Sequence, residues 1–409
     1  MVERVVKEYK YIILGAGPSG LSCAHTLRDL GENSFLVIEK EAVPGGLCRS
    51  EEVDGSPLDI GGGHFLDIKK KDVLDLLFRF MPRSEWDEYS RISKINIRGM
   101  EIDYPIEANL WQLPHDDELD FLESIARAGC LQEKPQPTSF EEWIVWKLGS
   151  LIAVEYMLPY NRKIWSLDLN DLGTYWLHKL PDVSFRETLQ SCLKHKTSGV
   201  LPAHGTFLYP KQYGYGEVWK RMGESLGDQL LTSTPVTRID VNDRVVNGRF
   251  KAHKIITTVP WMCWPGISDI PEPVRDAVAQ LRFASIDVDY YQETPHTGSH
   301  WIYEPDERLS YHRILCRGNF CQGSRGYWTE TNSKRALKKK TWRHRNEYAY
   351  PLNTKNKPEI ISTILCWAET NRIIGIGRWG TWEHMNSDVA VSMGIVTANR
   401  LFQGELLAR

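Results

Sequence analysis

The feature that most constrains the fold of this chain is a glycine-rich turn between two buried strands near its start. Residues 9–14 form an apolar run, as expected for a strand covered on both faces, and lead into Gly-Ala-Gly-Pro-Ser-Gly at 15–20. A helical stretch then ends near Gly31, and a second apolar run, 35–38, ends at Glu39. Strand, GxGxxG, helix, strand and acid in this order are typical of a dinucleotide-binding βαβ unit.

Each residue of this motif has a physical role in holding a dinucleotide. Gly15 permits the tight turn, Gly17 lets the backbone approach a pyrophosphate, and Gly20 lets the helix pack close to the strand. The helix N-terminus offers free N–H groups and the positive end of its dipole to the phosphates. Glu39 can accept hydrogen bonds from a ribose. The alternative is a glycine-rich turn with no ligand.

Two further glycine clusters favour FAD over NAD as the cofactor. Gly45 and Gly46 precede Arg49, and three glycines at 61–63 precede His64. Glycine clusters allow backbone to lie close to a ligand, and an NAD-binding domain does not need these extra ones. FAD is longer and needs these additional glycine clusters, so we expect Gly46, Arg49, Gly62 and Gly63 to contact it.

The rest of the sequence predicts an α/β fold with a discontinuous Rossmann-like FAD-binding domain, a helical domain and an antiparallel β-sheet domain. Helical spacing covers 71–82, 117–130, 139–157 and 217–226, a final helix covers 388–403, and a hairpin is expected at 93–105. Strand-like segments are 235–239, 254–260, 285–292, 300–303, 310–316, 326–330 and 372–378. The predicted boundaries are 1–90, 206–266 and 352–409 for the FAD domain, 108–192 for the helical substrate domain, and 91–107, 193–205 and 267–351 for the sheet domain.

Composition excludes several classes of protein. Lys and Arg total 50 against 53 Asp and Glu, a net charge of -3, so no overall positive field favours nucleic acid. Apolar runs are too short to cross a membrane, and the N-terminus leaves no room for a signal peptide. Eight scattered cysteines without a CxxC pair predict free thiols, a cytoplasmic protein and no metal site. Self-association into a homo-oligomer stays open.

One basic run interrupts the otherwise balanced charge. It contains Lys334, Arg335, Lys338, Lys339, Lys340, Arg343 and Arg345. A solvated surface segment is the simpler interpretation. A surface for a partner or an anionic polymer is the alternative.

Taken together, the motifs resemble the flavin-dependent nucleotide-sugar mutases, the UDP-galactopyranose mutase family, over most of the chain. The N-terminal motifs are shared with amine-oxidase-like flavoproteins, but three later segments are more specific. Residues 159–165 resemble the segment that holds the nucleobase, and 311–313 the strand that supplies an arginine to the diphosphate. Residues 377–388 are similar to the C-terminal motif in which an arginine contacts substrate and flavin.

The resemblance implies roles for individual side chains. Its catalytic candidates are His64, Arg313 and Arg378. Its further flavin-binding candidates are Val236, Gly377, Arg378, Asn386 and Asp388. Its substrate-binding candidates are Tyr104, Asn109, Tyr160, Asn161, Trp165, Arg186, Arg313, Tyr350 and His384.

The resemblance also implies an unusual chemistry without net redox change. Reduced flavin N5 attacks the anomeric carbon of a nucleoside-diphosphate hexose, and the pyranose and furanose forms interconvert. The enzyme is therefore expected to be an intramolecular transferase (a mutase) acting on a UDP-galactose-type or GDP sugar, with an external reductant such as NAD(P)H. The arginines would neutralise the departing diphosphate.

Two departures and two rival functions stay open at this point. His384 stands where the family has a diphosphate-binding tyrosine, and the spacing of Arg186 differs from that of the family's second arginine. One rival is an FAD oxidoreductase like amine oxidase or protoporphyrinogen oxidase, which shares the N-terminal motifs. The other is a flavoprotein-like scaffold without catalytic activity.

Overall fold

A computed structural model describes residues 6–177, 182–198, 205–337 and 342–406. Within these ranges the strands are β1 Lys7–Leu14, β2 Phe35–Ile38, β3 Ser50–Val53, β4 Ser56–Asp59, β5 Leu66–Asp67, β6 Trp86–Ser90, β7 Ser93–Ile97, β8 Met100–Asp103, β9 Thr206–Pro210, β10 Leu230–Leu231, β11 Ile239–Asp240, β12 Val245–Val246, β13 Phe250–Thr257, β14 Phe283–Tyr291, β15 Trp301–Tyr303, β16 Arg313–Leu315, β17 Tyr327–Asn332, β18 Arg343–Pro351 and β19 Ile373–Gly375.

The α-helices of the same ranges alternate with these strands and with short 3-10 turns. They are α1 Pro18–Asp29, α2 Lys71–Leu77, α3 His115–Ala126, α4 Phe140–Ile152, α5 Leu158–Trp165, α6 Phe185–Lys194, α7 Gly216–Glu224, α8 Trp264–Ile267, α9 Glu272–Gln280, α10 Lys357–Thr370, α11 Gly377–Gly380 and α12 Ser387–Leu406.

The first sheet is the Rossmann-like layer. Its strand order is β10-β2-β1-β13-β12-β11, with β19 also paired to β13, so it draws strands from the beginning, middle and end of the chain. The strands β2, β1, β13 and β19 run parallel. Residues 11–14 of β1 are at most 1% exposed, because helices cover both faces of a parallel sheet. This confirms the predicted α/β class and its Rossmann-like unit.

The second sheet carries the side chains that later define the site. Its order is β18-β14-β17-β16-β15-β7-β8, and its pairs are antiparallel except for β15 with β7. A separate apolar cluster fills the helical unit formed by α3, α4, α5 and α6. Its helix starts are locally encoded: Ser139 accepts the Glu142 N–H, and Ser184 and Glu187 form a capping box.

Part of the basic run forms β18, an edge strand of the second sheet, so the interpretation as a solvated surface segment is only partly right. Arg343 and Arg345 lie on β18 and make bidentate ion pairs with Asp289 and Asp287 of the neighbouring β14. Both aspartates are buried, so the arginines compensate charges that would be costly alone. Lys334 is exposed, and 338–341 lie outside the described residues.

Most predicted elements are confirmed, and the differences have local causes. The hairpin forms as β7 and β8 around the turn at Arg98 and Gly99, and the predicted helix at 71–82 ends early, at Leu77. Of 235–239 only Ile239 enters a strand, and 372–378 is a strand only to Gly375, since Gly377 begins the helical turn α11. The sequence patterns missed several elements, among them β3, β4, β6, β9, β18, α9 and α10, whereas α5 and most of α6 lie within the predicted helical domain, 108–192. Of the predicted sheet segment 193–205, residues 199–204 lie outside the described residues.

None of the helices in the described ranges combines the length and the apolar character needed to span a membrane. All eight cysteines fall within these ranges and are unpaired thiols. No group of three or more His, Cys, Asp or Glu side chains that could hold a metal ion occurs among the described residues.

Packing of α1 against β1 yields a first test. A Cβ added at Gly20 would lie 2.0 Å from the carbonyl oxygen of Gly15, so the helix would have to move away from the strand. We expect Gly20→Ala to lower the free energy of unfolding by about 1–3 kcal/mol in urea denaturation, as overpacking does. Gly404→Ala in α12 is the control, because a Cβ there meets nothing within 4 Å. Equal stability of Gly20→Ala and wild type would contradict the close approach.

Candidate active site

The β1–α1 turn forms a cradle suited to a pyrophosphate. Gly15 has φ of +101°, which lets the chain turn sharply. Gly17 is the N-cap of α1 and provides no side-chain cap, which leaves backbone N–H groups of the first turn available. Gly17 and Gly46 face each other, and a Cβ at Gly17 would meet only the Gly46 Cα, at 3.9 Å. Backbone, not side chain, therefore borders the space in front of the helix N-terminus.

Glu39 fixes the shape of this turn. Its carboxylate accepts hydrogen bonds from the Ala16 N–H at 2.7 Å and from the Glu41 N–H at 2.9 Å. Arg49 lies close by, with its Nε donating to the Gly46 carbonyl at 3.1 Å. Each carboxylate oxygen has more than one lone pair, so Glu39 keeps capacity for a ribose hydroxyl.

The start of α12 supplies a second polar surface near the cradle. Asp388 is buried with Oδ2 3.2 Å from the Lys70 ammonium, while its Oδ1 has no hydrogen-bond partner among the described residues. Ser387 is linked to the Tyr215 hydroxyl at 2.7 Å, and Gly377 has φ of +70° beside Ser19 of α1. An orphaned buried oxygen and two glycine-lined turns fit a dinucleotide such as FAD.

The glycine loop 61–63 lies between the Rossmann-like unit and the second sheet. A Cβ at Gly61 would overlap the Leu47 carbonyl oxygen at 1.8 Å, and one at Gly63 would overlap Leu315 at 2.2 Å. Glu330 of β17 accepts the Gly63 N–H at 2.8 Å and so fixes the loop to the sheet. Only glycine therefore fits at positions 61 and 63, because two structural units pack closely together there.

His64 follows this loop and is held as the neutral imidazole. Its Nδ1 lies 3.0 Å from the Gly62 carbonyl oxygen, which can only accept, so Nδ1 carries the proton and Nε2 keeps its lone pair. Burial, together with the Arg378 charge, lowers the pKa of His64 to about 4. The ring also stacks 6.3 Å from Tyr215.

A cavity of about 770 Å³ extends from the glycine loop between the second sheet and the helical unit. Most of the predicted substrate side chains line it, and so do further aromatic residues. The candidates in its lining are Tyr104, Tyr160, Asn161, Trp165, Arg313, Tyr350, Arg378, His384, Asn386 and His64.

Arg313 on β16 is oriented by the same glutamate that holds the glycine loop. Its Nε and Nη2 donate to one Glu330 oxygen at 3.0 and 2.6 Å, while the other Glu330 oxygen takes the Gly63 N–H. Burial alone would raise the pKa of Glu330, but Arg313, His312 and the Gly63 N–H outweigh it and lower that pKa to about 2. Nη1 of Arg313 has no hydrogen-bond partner among the described residues.

Arg378 is a buried guanidinium held by carbonyl groups. It donates to the Ala349 carbonyl at 2.8 Å and to the Met385 carbonyl at 2.7 Å, and it lies 5.4 Å from the centre of the Tyr350 ring. Burial lowers its pKa, although a guanidinium remains charged at neutral pH. No described carboxylate forms an ion pair with Arg378, so its positive charge is available to an anion.

A third guanidinium, that of Arg91, also lines the cavity. It lies 4.6 Å from the centre of the Tyr104 ring and 4.8 Å from that of Trp301, and it donates to the Tyr303 hydroxyl at 3.0 Å. Sequence reasoning missed Arg91 because it stands just before β7 without a recognisable motif. The alternation of β7 beside it placed that strand in the sheet but did not indicate which residues face the cavity.

Two residues of the predicted nucleobase segment act as supports. Asn161 donates to the Met157 carbonyl at 2.7 Å and accepts the Trp165 indole N–H at 2.9 Å, which fixes the indole against Tyr350 and His384. Lys163 is fully buried and donates to the carbonyls of Glu304 and Asp306, tying α5 to the loop after β15. Tyr160 lies edge-on to Tyr303, at 5.4 Å.

The structure does not bring three other candidates to the cavity. Asn109 is fully buried, donates to the Pro105 carbonyl and accepts from the Thr197 hydroxyl, so it holds the turn after β8. Arg186 is exposed at the start of α6. The capping box fixes where this helix begins, and Arg186, its second residue, faces solvent. Val236 is half-buried against the core of the first sheet.

Comparison with known proteins places the fold. Residues 13–80 match the description of an NAD(P)-binding Rossmann-like domain. An uncharacterised protein from the nifH2 3' region of Methanothermococcus thermolithotrophicus is 36% identical over 108 residues, which is 97% of that protein and 25% of this chain. The chain belongs to the same family as this methanogen protein. This membership does not indicate an activity, because the relative is itself uncharacterised.

Solved structures cover nearly the whole chain at low identity. Reduced UDP-galactopyranose mutase is 22% identical, with a TM-score of 0.86 over 97% of this chain and 94% of the mutase. A protein assigned as a protoporphyrinogen oxidase from Exiguobacterium sp. 255-15 is 14% identical, with a TM-score of 0.71 over 97% and 99% of the two chains. The chain therefore has the flavoprotein fold that mutases and oxidases share.

The environment of His64 predicts a defined pH dependence. Its pKa is about 4 in the folded chain against 6.5 when exposed, so between these values only the unfolded chain gains a proton. Stability contributed by neutral His64 is complete above pH 6.5 and is lost as the pH falls toward 4. When the pH falls from 6.5 to about 5, we expect the free energy of unfolding to drop by roughly 1 kcal/mol more in the wild type than in His64→Asn.

Measuring the wild type and His64→Asn in parallel separates the effect of His64 on stability from that of Asp59, which acts in the opposite direction. Burial raises the pKa of Asp59 to about 7, so Asp59 stabilises below its unfolded value of 3.8 and loses that contribution as the pH rises through 7. Both proteins contain Asp59, and urea denaturation at the two pH values therefore reports the difference due to residue 64. An identical pH dependence in the two proteins would contradict the neutral, desolvated state of His64.

Proposed function

We propose that this chain is an FAD-dependent mutase that interconverts the pyranose and furanose forms of a nucleoside-diphosphate hexose. The observation that carries the proposal is the meeting of Arg91, Arg313 and Arg378 in the cavity that the His64 loop closes at one end. Similarity to reduced UDP-galactopyranose mutase supports this choice among the functions of the fold.

The charge of the cavity suits a diphosphate. Glu330 balances Arg313, whereas Arg378 is held by neutral carbonyls, so the positive charge of Arg378 is not neutralised by a described carboxylate. Guanidinium groups match phosphate oxygens with paired N–H donors, and burial strengthens that attraction. These groups would bind the diphosphate in the ground state and stabilise the charge that grows when the bond to the sugar breaks.

FAD, when bound in its reduced form, would supply the nucleophilic N5 that attacks the anomeric carbon without net oxidation. Gly17, Gly46 and Asp388 would hold the cofactor, and the Gly62–His64 loop would lie beside its ring system. Neutral His64 would present the Nε2 lone pair as a hydrogen-bond acceptor at the reacting end of the cavity. The rings of Tyr160, Trp165 and Tyr350 would exclude water from the sugar.

The rival oxidation of an amine fits this cavity less well. A protonated amine would be repelled by Arg378, which pairs with no described carboxylate, whereas an anion would be attracted to it. The mutase reaction consumes no electron acceptor, so the two functions differ in a simple measurement. An external reductant such as NAD(P)H would be needed only to reduce the cofactor.

A turnover experiment tests the reaction type. The purified protein with FAD, reduced with dithionite under anaerobic conditions, is expected to form a furanose product from a UDP- or GDP-hexose. The oxidised protein should form none, because the attacking nitrogen exists only in the reduced cofactor. Chromatography of the nucleotide sugars and an oxygen electrode provide the readouts. Oxygen consumption with an amine, and no furanose from any nucleotide sugar, would replace the proposal with an oxidase.

Substitution of the cavity arginines tests the assignment of the diphosphate. Arg313→Ala and Arg378→Ala are each expected to lower kcat/KM about 100-fold or more, as the loss of a charge-assisted donor does. Arg308→Ala is the matched control, since this arginine is exposed in the loop before β16 and pairs with Asp306. Flavin absorbance must be retained in all three proteins, and unchanged turnover in both cavity variants would remove the arginines from the site.

A further inference from the structure

The carboxylate of Glu107 lines the cavity but has no role in the proposed reaction. Glu107 lies on the 3-10 turn Ile106–Ala108, directly after Tyr104 and Pro105, and lines the cavity together with residues of the helical unit. No side chain of the described residues donates a hydrogen bond to its carboxylate. Burial raises the pKa of Glu107, and its own backbone N–H and the charge of Lys147 oppose that effect. The neighbouring cation, Lys147, is already paired with Asp182 at 2.5 Å.

The surroundings of Glu107 suit a flat ring. Trp143, Leu148, Tyr156 and Met157, all from the helical unit, line the same cavity. The charged groups that act on Glu107 are Lys147 and Asp182 of that unit, and its own charge acts on Tyr104 and Tyr156. Its carboxylate is therefore associated with the aromatic, helical side of the cavity, whereas Arg313 and Arg378 are held by the second sheet, the glycine loop and the α11–α12 segment.

A carboxylate accepts hydrogen bonds and donates none, which limits the base edges that it can recognise. Guanine presents two adjacent donors, N1–H and the N2 amino group, which a carboxylate accepts as a pair. Uracil presents one N–H between two carbonyl oxygens, and these oxygens would face the negative charge. Adenine and cytosine each place a ring acceptor beside their amino group, so neither offers two adjacent donors.

We propose that Glu107 selects guanine and that the substrate is a GDP-hexose, an inference that rests on the proposed mutase function. The base stacks among the aromatic side chains of the helical unit, with its N1–H and N2 amino group on Glu107. The diphosphate then extends toward Arg313 and Arg378. A cavity of about 770 Å³ has room for a purine nucleotide sugar.

Nucleotide binding tests this selection without requiring turnover. GDP, inosine diphosphate and UDP are titrated by calorimetry into the purified protein carrying FAD. We expect GDP to bind about tenfold or more tightly than UDP, and inosine diphosphate, which lacks the N2 amino group, to bind between them. In Glu107→Gln, GDP should lose about tenfold in affinity, UDP should not weaken, and the preference for GDP over inosine diphosphate should narrow, since an amide replaces one acceptor with a donor.

Glu383→Gln is the matched control, because Glu383 is an exposed carboxylate that also lines the cavity. It removes the same charge and should leave the ratio of GDP to UDP affinity unchanged. UDP binding as tightly as GDP, or a Glu107→Gln protein with an unaltered ratio, overturns guanine selection and leaves the mutase proposal standing. Failure of all three nucleotides to bind overturns both.

Discussion

The site depends on one buried carboxylate, that of Glu330, which connects two structural units. One of its oxygens takes the Gly63 N–H of the glycine loop, and the other takes two N–H groups of Arg313 on the neighbouring strand. A buried carboxylate would be costly without such partners, and with them it stays ionised. The same group therefore sets the position of the loop and the orientation of the guanidinium.

The arrangement of positive charge follows from how each arginine is held. Arg313 is compensated by Glu330, Arg91 lies between two aromatic rings, and Arg378 is held by backbone carbonyls. Neutral partners fix a guanidinium without removing its charge, which leaves a polar anchor in an otherwise aromatic cavity. The arginines of β18 illustrate the opposite case, because each is fully paired with a buried aspartate and contributes to the sheet instead of to a ligand.

The departures from the mutase pattern concern the side chains around the cavity. His384 lies 4.9 Å from the Tyr350 ring and 6.4 Å from Trp165, so it lines the cavity in the place where the family has a tyrosine. Arg186 is exposed, and the third guanidinium of the cavity comes instead from Arg91, at the edge of the second sheet. Because mutases and oxidases share this fold, the side chains around the cavity, and not the fold, determine which substrate is bound.

The sequence by itself determined the nucleotide-binding unit, because strand, GxGxxG, helix and acid are local signals whose geometry follows from backbone conformation. It also indicated Arg313, Arg378, Tyr160 and Trp165 through segments that resemble those of the nucleotide-sugar mutases. Only the tertiary structure decided which of these side chains meet, since Gly63 and Glu330 are 267 residues apart in the chain and are joined by a hydrogen bond from the Gly63 N–H to the Glu330 carboxylate. Arg91, Glu107 and Glu330 carry no local signal, and Asn109 and Lys163 proved to be supports, because the contacts of a polar side chain depend on neighbours that are distant in sequence.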